Sequence, residues 1–124
     1  LPAGLRSEID GLRGMEQYYR VWGGYDGSGL VIRSEEPVDF HPEWRVVNVV
    51  PVATLDDAVC HVNVATQTVG VYPPARKAAL RDALASAGTQ RVVELGAAGR
   101  IEAGLSHDGF FPLHRMVRWV NDEG

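Results

Sequence analysis

Residues 44–95 alternate between two periodicities with almost no connecting sequence, and that alternation limits the fold more than any other feature of the chain. Arg45-Val46-Val47-Asn48-Val49-Val50-Pro51-Val52 is a β-branched run that predicts a strand, and residues 54–63 then carry helical spacing. Thr68-Val69-Gly70-Val71-Tyr72 is again extended, 74–87 is helical, and Arg91-Val92-Val93-Glu94-Leu95 closes the series. This order predicts an α/β fold, a small parallel-rich sheet built from consecutive βαβ units with flanking helices. Both crossovers are expected to be right-handed, which places their helices on one face. Thr54 with Asp57 three residues on approaches a capping box, and Leu55, Ala58, Val59 and Val62 form the buried stripe behind it. Pro74 suits the first position of the second helix and Gly88 its C-terminal end. Ala79, Leu80, Ala83, Leu84 and Ala87 give that helix a small-residue face for the sheet.

The flanks are less regular. Leu5, Ile9, Leu12, Met15, Tyr19 and Trp22 recur at steps of three and four, which predicts an amphipathic helix over 5–22 that ends before Gly23-Gly24. Gly24-Tyr25-Asp26-Gly27-Ser28-Gly29 lacks the spacing of a phosphate-binding fingerprint and precedes a strand, so it reads as a turn. Leu30-Val31-Ile32-Arg33 is a short strand stopped by Pro37. Leu113, Met116, Val117 and Val120 predict a last helix over 113–121.

A chain of 124 residues with 45% hydrophobic content supports one modest core, and a single α/β domain is expected, with 1–29 as a helical lead-in and 30–124 as the βαβαβ core. The net charge of −4 leaves no electrostatic footprint for nucleic acid or an anionic membrane. No apolar run reaches the length of a membrane span. Cys60 has no internal partner, so a reducing, cytoplasmic setting is expected. The chain opens on Leu1 instead of methionine and runs at once into a helical pattern, which suggests a piece of something longer.

Candidate chemistry is sparse. Glu35 and Glu36 are adjacent on an extended segment, so they point to opposite sides and at most one can face a ligand. Cys60 lies off the buried stripe, and His61 beside it points about 100° away, so a structural thiol is the expected role. His41, His61, His107 and His114 lack metal-ligand spacing. His107 and Asp108 are adjacent and are not expected to orient one another, so His107 would need a partner from elsewhere. Asp108-Gly109 reads as a tight turn.

Gln67-Thr68-Val69-Gly70-Val71, Arg91-Val92-Val93-Glu94-Leu95-Gly96, Ser106-His107-Asp108-Gly109 and Leu113-His114-Arg115-Met116-Val117-Arg118-Trp119-Val120 together resemble the C-terminal part of the bacterial long-chain acyl-CoA reductases. These are the fatty-acid reductases of bioluminescence, within the aldehyde dehydrogenase superfamily. The resemblance covers 37–123 and is sharpest where the Gln67–Gly70 run is paired with His107-Asp108-Gly109. It implies reduction of a fatty acyl-CoA or activated acyl group to the aldehyde by NADPH, through a thioester on a catalytic cysteine. It also implies that Glu36, or else Glu35, contacts the nicotinamide ribose and that His107, Asp108 and Gly109 lie near the substrate site. The family's nucleophile and dinucleotide domain lie upstream, and Cys60 does not match that nucleophile. The resemblance therefore implies a C-terminal segment that is inactive alone and supplies no catalytic residue, while the histidine spacing already speaks against a metal. Such a cut domain exposes a large apolar patch, which a homo-oligomer would cover. Two other readings stand beside it: a non-catalytic α/β module that binds another subunit, and a small complete enzyme using His107 with Glu35 or Glu36 as acid and base.

Overall fold

The computed structural model describes residues 1–100 and 102–124. The chain divides into two compact units, Leu1–Ala53 and Thr54–Gly124, each with its own sheet and its own apolar cluster.

In the first unit, helix α1 (Ala3–Arg13) is followed by strands β1 (Arg20–Gly24), β2 (Gly29–Arg33) and β3 (Val46–Val49). The helix expected over 5–22 therefore stops nine residues short, and Trp22 belongs to a strand. Gly11 and Gly14 weaken the helix where it ends, and the β-branched and aromatic residues Tyr18, Tyr19, Val21 and Trp22 favour the extended state beyond it. β1 and β2 form an antiparallel hairpin around Tyr25-Asp26-Gly27-Ser28, pairing Val21 with Ile32 and Trp22 with Val31. Within the turn, the Asp26 carboxylate accepts from the Ser28 amide (3.0 Å) and hydroxyl (2.7 Å), and these bonds hold its acid below the ordinary range. β3 runs parallel to β2. Ile9, Leu12, Leu30, Ile32 and Val46 are the buried core, with Leu5, Tyr19, Val21 and Phe40 packed against it.

Asn48 interrupts the apolar run of β3, and its amide serves as the clamp of this unit. Its Nδ2 donates to the Ile32 carbonyl (3.1 Å) and to Ser34 Oγ (2.9 Å), while its Oδ1 accepts from the Val38 amide (3.1 Å). The buried Ser34 hydroxyl in turn donates to the Glu36 carbonyl (2.6 Å). The segment after β2 is thus held by these side chains together with the Ser34 amide, which donates to the Val49 carbonyl of β3 (3.2 Å).

The second unit carries α2 (Leu55–Val59), β4 (Thr68–Val71), a 3-10 turn (Pro74–Arg76), α3 (Lys77–Ala87), β5 (Arg91–Glu94) and a final 3-10 turn (Pro112–Arg115). The Thr54 capping box is complete in both directions, with Asp57 amide to Thr54 Oγ1 at 3.2 Å and Thr54 amide to Asp57 Oδ2 at 2.9 Å. β4 and β5 are parallel and joined by α3, so this βαβ unit forms as expected. The other expected unit does not form, because β3 pairs with β2 and not with β4. Instead of one sheet through β3, β4 and β5, the described residues hold a three-stranded and a two-stranded sheet.

α3 buries Leu80 and Leu84 against Val71, with Val69, Val92 and the α2 residues Leu55 and Val59 around them. Ala79 and Ala83 are exposed, so the buried face is narrower than the small-residue face expected. The helix ends at Gly88 in the left-handed region (φ 112), where a Cβ would stand 2.8 Å from Val64 Cα.

Thr89, next in sequence, is buried with no hydrogen-bond partner for its hydroxyl among the described residues. Thr89→Val is expected to raise the stability of the chain by about 1 kcal/mol, because it removes an unsatisfied polar atom while keeping the shape. A urea titration checks this, and a loss of stability would mean that the hydroxyl is bonded in solution.

The helix expected over 113–121 is present only as the 3-10 turn Pro112–Arg115. Leu113, Met116 and Val120 are 76%, 82% and 81% exposed, so the stripe that patterned the helix has no surface to bury against. A lone two-turn helix without such a surface does not form in water.

Candidate functional site

Residues 106–110 are shaped by backbone chemistry first. Asp108 (φ 50) and Gly109 (φ 75) both take the left-handed conformation, and His107 and Phe110 exchange two backbone hydrogen bonds of 2.7 and 3.0 Å. This is the two-residue hairpin that Asp-Gly favours. The tight turn read from the sequence is therefore present.

The turn brings side chains together. Asp108 Oδ2 lies 3.1 Å from His107 Nδ1, and Asp108 Oδ1 accepts from Gln67 Nε2, forty-one residues away in sequence. The left-handed backbone at Asp108 brings its carboxylate near the imidazole, but the pair makes no hydrogen bond among the described residues, so adjacency alone does not orient His107. Gln67 is itself anchored at the start of the sheet, where its carbonyl accepts from the Gln90 (3.2 Å) and Arg91 (3.0 Å) amides. The Gln67 run and the His107-Asp108-Gly109 run, paired on sequence grounds, meet through this bond.

A cleft of about 540 Å³ lies along β5, lined among others by Lys77, Arg91, Glu94, Arg100, Glu102 and Ser106. Its volume falls in the range of small-molecule sites, roughly 300–1,000 Å³. Arg91 builds one wall by donating to the Ala98 (3.1 Å) and Arg100 (2.8 Å) carbonyls, which ties the loop after β5 back to the strand. Charges of both signs face this cleft, so it suits a polar ligand better than a purely anionic one.

Glu35 and Glu36 lie on a bend after β2, and both are exposed. The Ser34 and Asn48 bonds fix the backbone of that bend, and none of the main clefts is lined by either carboxylate. Partial burial and a 2.6 Å hydrogen bond to Asp10 raise the Tyr25 hydroxyl above its ordinary range, with Arg6 stacked over the ring at 4.6 Å. Cys60 is exposed at the end of α2. No cluster of metal-ligating side chains exists among the described residues.

Residues 13–119 match the profile of a family described as acyl-CoA reductase (LuxC). The chain belongs to this family. It is 34% identical over 121 residues to the long-chain acyl-protein thioester reductase of Vibrio harveyi, covering 96% of this chain and 24% of that protein. It is 32% identical over 123 residues to the protein of the same name from Photorhabdus laumondii subsp. laumondii, covering 98% and 23% respectively. For Aliivibrio fischeri the figures are 37% over 95 residues, with 76% and 20% covered. The chain thus spans about a quarter of the length of these relatives.

For a LuxC-family reductase the nicotinamide cofactor can be tested against the residues present. Glu36 is exposed on a bend whose backbone the Ser34 and Asn48 bonds fix. The turn between β1 and β2 leads from strand to strand, so it offers no helix N-terminus for phosphate. Sequence reasoning missed Gln67 as a side chain of the site and Asn48 as the residue fixing the Glu36 bend. The signal for Asn48 was a lone amide within a valine run.

Proposed function

We propose that this chain is the C-terminal segment of an NADPH-dependent reductase that converts a long-chain acyl thioester, acyl-CoA or an activated acyl group, to the aldehyde. The family match over residues 13–119 carries this reading. The segment belongs to an aldehyde-dehydrogenase-like catalytic domain of a cytoplasmic enzyme and is inactive alone, because the nucleophilic cysteine and the dinucleotide domain lie in other parts of the protein. When bound, the cofactor supplies the hydride. Glu36, or Glu35 beside it, accepts from the ribose hydroxyls and orients the sugar. The turn at His107, Asp108 and Gly109 stands near the acyl group, and the chain contributes walls to the site.

The apolar side chains left exposed between Leu105 and Val120 support this reading, since they form surface that a longer chain or a second subunit would cover. The same surface favours a second reading, a non-catalytic α/β module that docks on another subunit. Calorimetry with NADPH and with an acyl-CoA separates the two. The reductase reading expects weak NADPH binding that falls about tenfold in Glu36→Gln, the loss of one charge-assisted hydrogen bond. Absence of binding to either ligand by the folded chain would remove the ribose role of Glu36 and leave the inert segment and the module, which the coding sequence upstream of Leu1 then separates.

A further inference from the structure

We infer that the cavity lined by Trp44 in the first unit binds a medium-chain fatty carboxylate, with the alkyl chain inside the cavity and the head group on Arg45. The site lies wholly within Leu1–Ala53 and uses neither Glu36 nor His107, so it stands apart from the reductase reading.

The cavity holds about 220 Å³, and Tyr25, Leu30, Trp44 and Val46 give it apolar walls. Leu30 and Val46 belong to the buried core, so the space reaches inward as far as the core itself. Gly24 and Gly27 of the β1–β2 hairpin also line it, and a Cβ on either would meet nothing within 4 Å. An apolar cavity of roughly 150 Å³ already admits benzene, whereas drug-sized ligands occupy about 300 Å³ or more. The space therefore suits a short alkyl chain and excludes a nucleotide.

Trp44 is the second observation. Its backbone is left-handed (φ 62), a conformation that bulky side chains avoid, and the residue is 75% exposed. Glycine would hold the same turn without that strain. Neither core packing nor turn chemistry calls for an indole at this position, and what the indole does form is a wall of the cavity.

Arg45 supplies the charge. Its guanidinium donates to the Gly27 carbonyl (2.9 Å), which holds it beside the cavity that both residues line. Its other N–H groups have no protein partner among the described residues. A guanidinium presents a planar fork that matches a carboxylate. An apolar cavity with such a cation beside it is complementary to an amphiphile with an anionic head.

Octanoate and octanol, titrated into the ¹⁵N-labelled 124-residue chain, test the site. Octanoate should give saturable shifts at the Gly24 and Gly27 amides and at the Trp44 indole, while the Trp22 and Trp119 indoles stay in place. Octanol should bind about tenfold more weakly, the loss of one charge-assisted hydrogen bond. Arg45→Gln should reduce octanoate to the octanol level, and Arg45→Lys should restore part of the difference. Trp44→Gly should lose binding yet unfold at the same urea concentration as the parent or a higher one, because glycine relieves the strained backbone. Shifts gathered on residues 105–120 instead, or none at the cavity of a folded chain, overturn the site. Equal affinity for octanoate and octanol overturns the carboxylate assignment, and unfolding of Trp44→Gly at lower urea overturns the role of Trp44 by making it structural. The reductase reading survives each of these failures and is decided by the NADPH titration.

Discussion

Ile32→Ala is expected to destabilise the first unit by about 3 kcal/mol. Ile32 is fully buried in β2, opposite Val21 on one side and Asn48 on the other, and it belongs to the cluster with Ile9, Leu12, Leu30 and Val46. Removing its side chain deletes apolar contact from a core with few other members, and so small a unit has little stability in reserve. Val31→Ala, one residue away on the opposite face and 39% exposed, should cost no more than about 0.5 kcal/mol. Amide hydrogen exchange resolves the two: protection across β1, β2 and β3 should collapse in the first variant and persist in the second. Equal protection in both would mean that the core is not centred on Ile32.

Gly23→Ala is expected to cost more than about 3 kcal/mol, against about 1 kcal/mol for Gly27→Ala. Both glycines have nearly the same positive φ, 93 and 91, so the strain of the left-handed backbone is common to both. They differ in space. A Cβ on Gly23 would fall 2.2 Å from the Gly29 carbonyl oxygen, across the last rung of the hairpin, whereas one on Gly27 meets nothing within 4 Å. Chemical denaturation of both variants gives the steric part by difference, and equal losses would show that the hairpin opens at Gly23 without penalty.

The parts of the fold that were legible in the sequence are those decided by neighbouring residues. Thr54 and Asp57 form their capping box, Pro74 opens a helical turn, Gly88 closes α3, and Asp108-Gly109 makes a hairpin, because each depends on backbone groups a few positions away. What was not legible depends on partners distant in the chain. β3 and β5 are both valine-rich runs, and nothing local tells which strand each will join. β3 takes β2, so only the β4–α3–β5 crossover materialises. The residues 113–121 pattern like a helix but lack a surface to cover, so propensity alone does not hold them. The site divides the same way. The turn at 108–109 was readable, but the bond from Gln67 was not, because a polar residue before a strand carries no mark of the carboxylate it will meet.

The two-stranded sheet has a consequence of its own. Among the described residues each of β4 and β5 pairs with one strand only, so each is an edge of its sheet. Such edges template the addition of further strands. In a chain as long as the Vibrio harveyi relative, of which this one spans 24%, they are the natural points at which a larger sheet would be continued. In the isolated chain the same two edges are where copies would zip together as concentration rises.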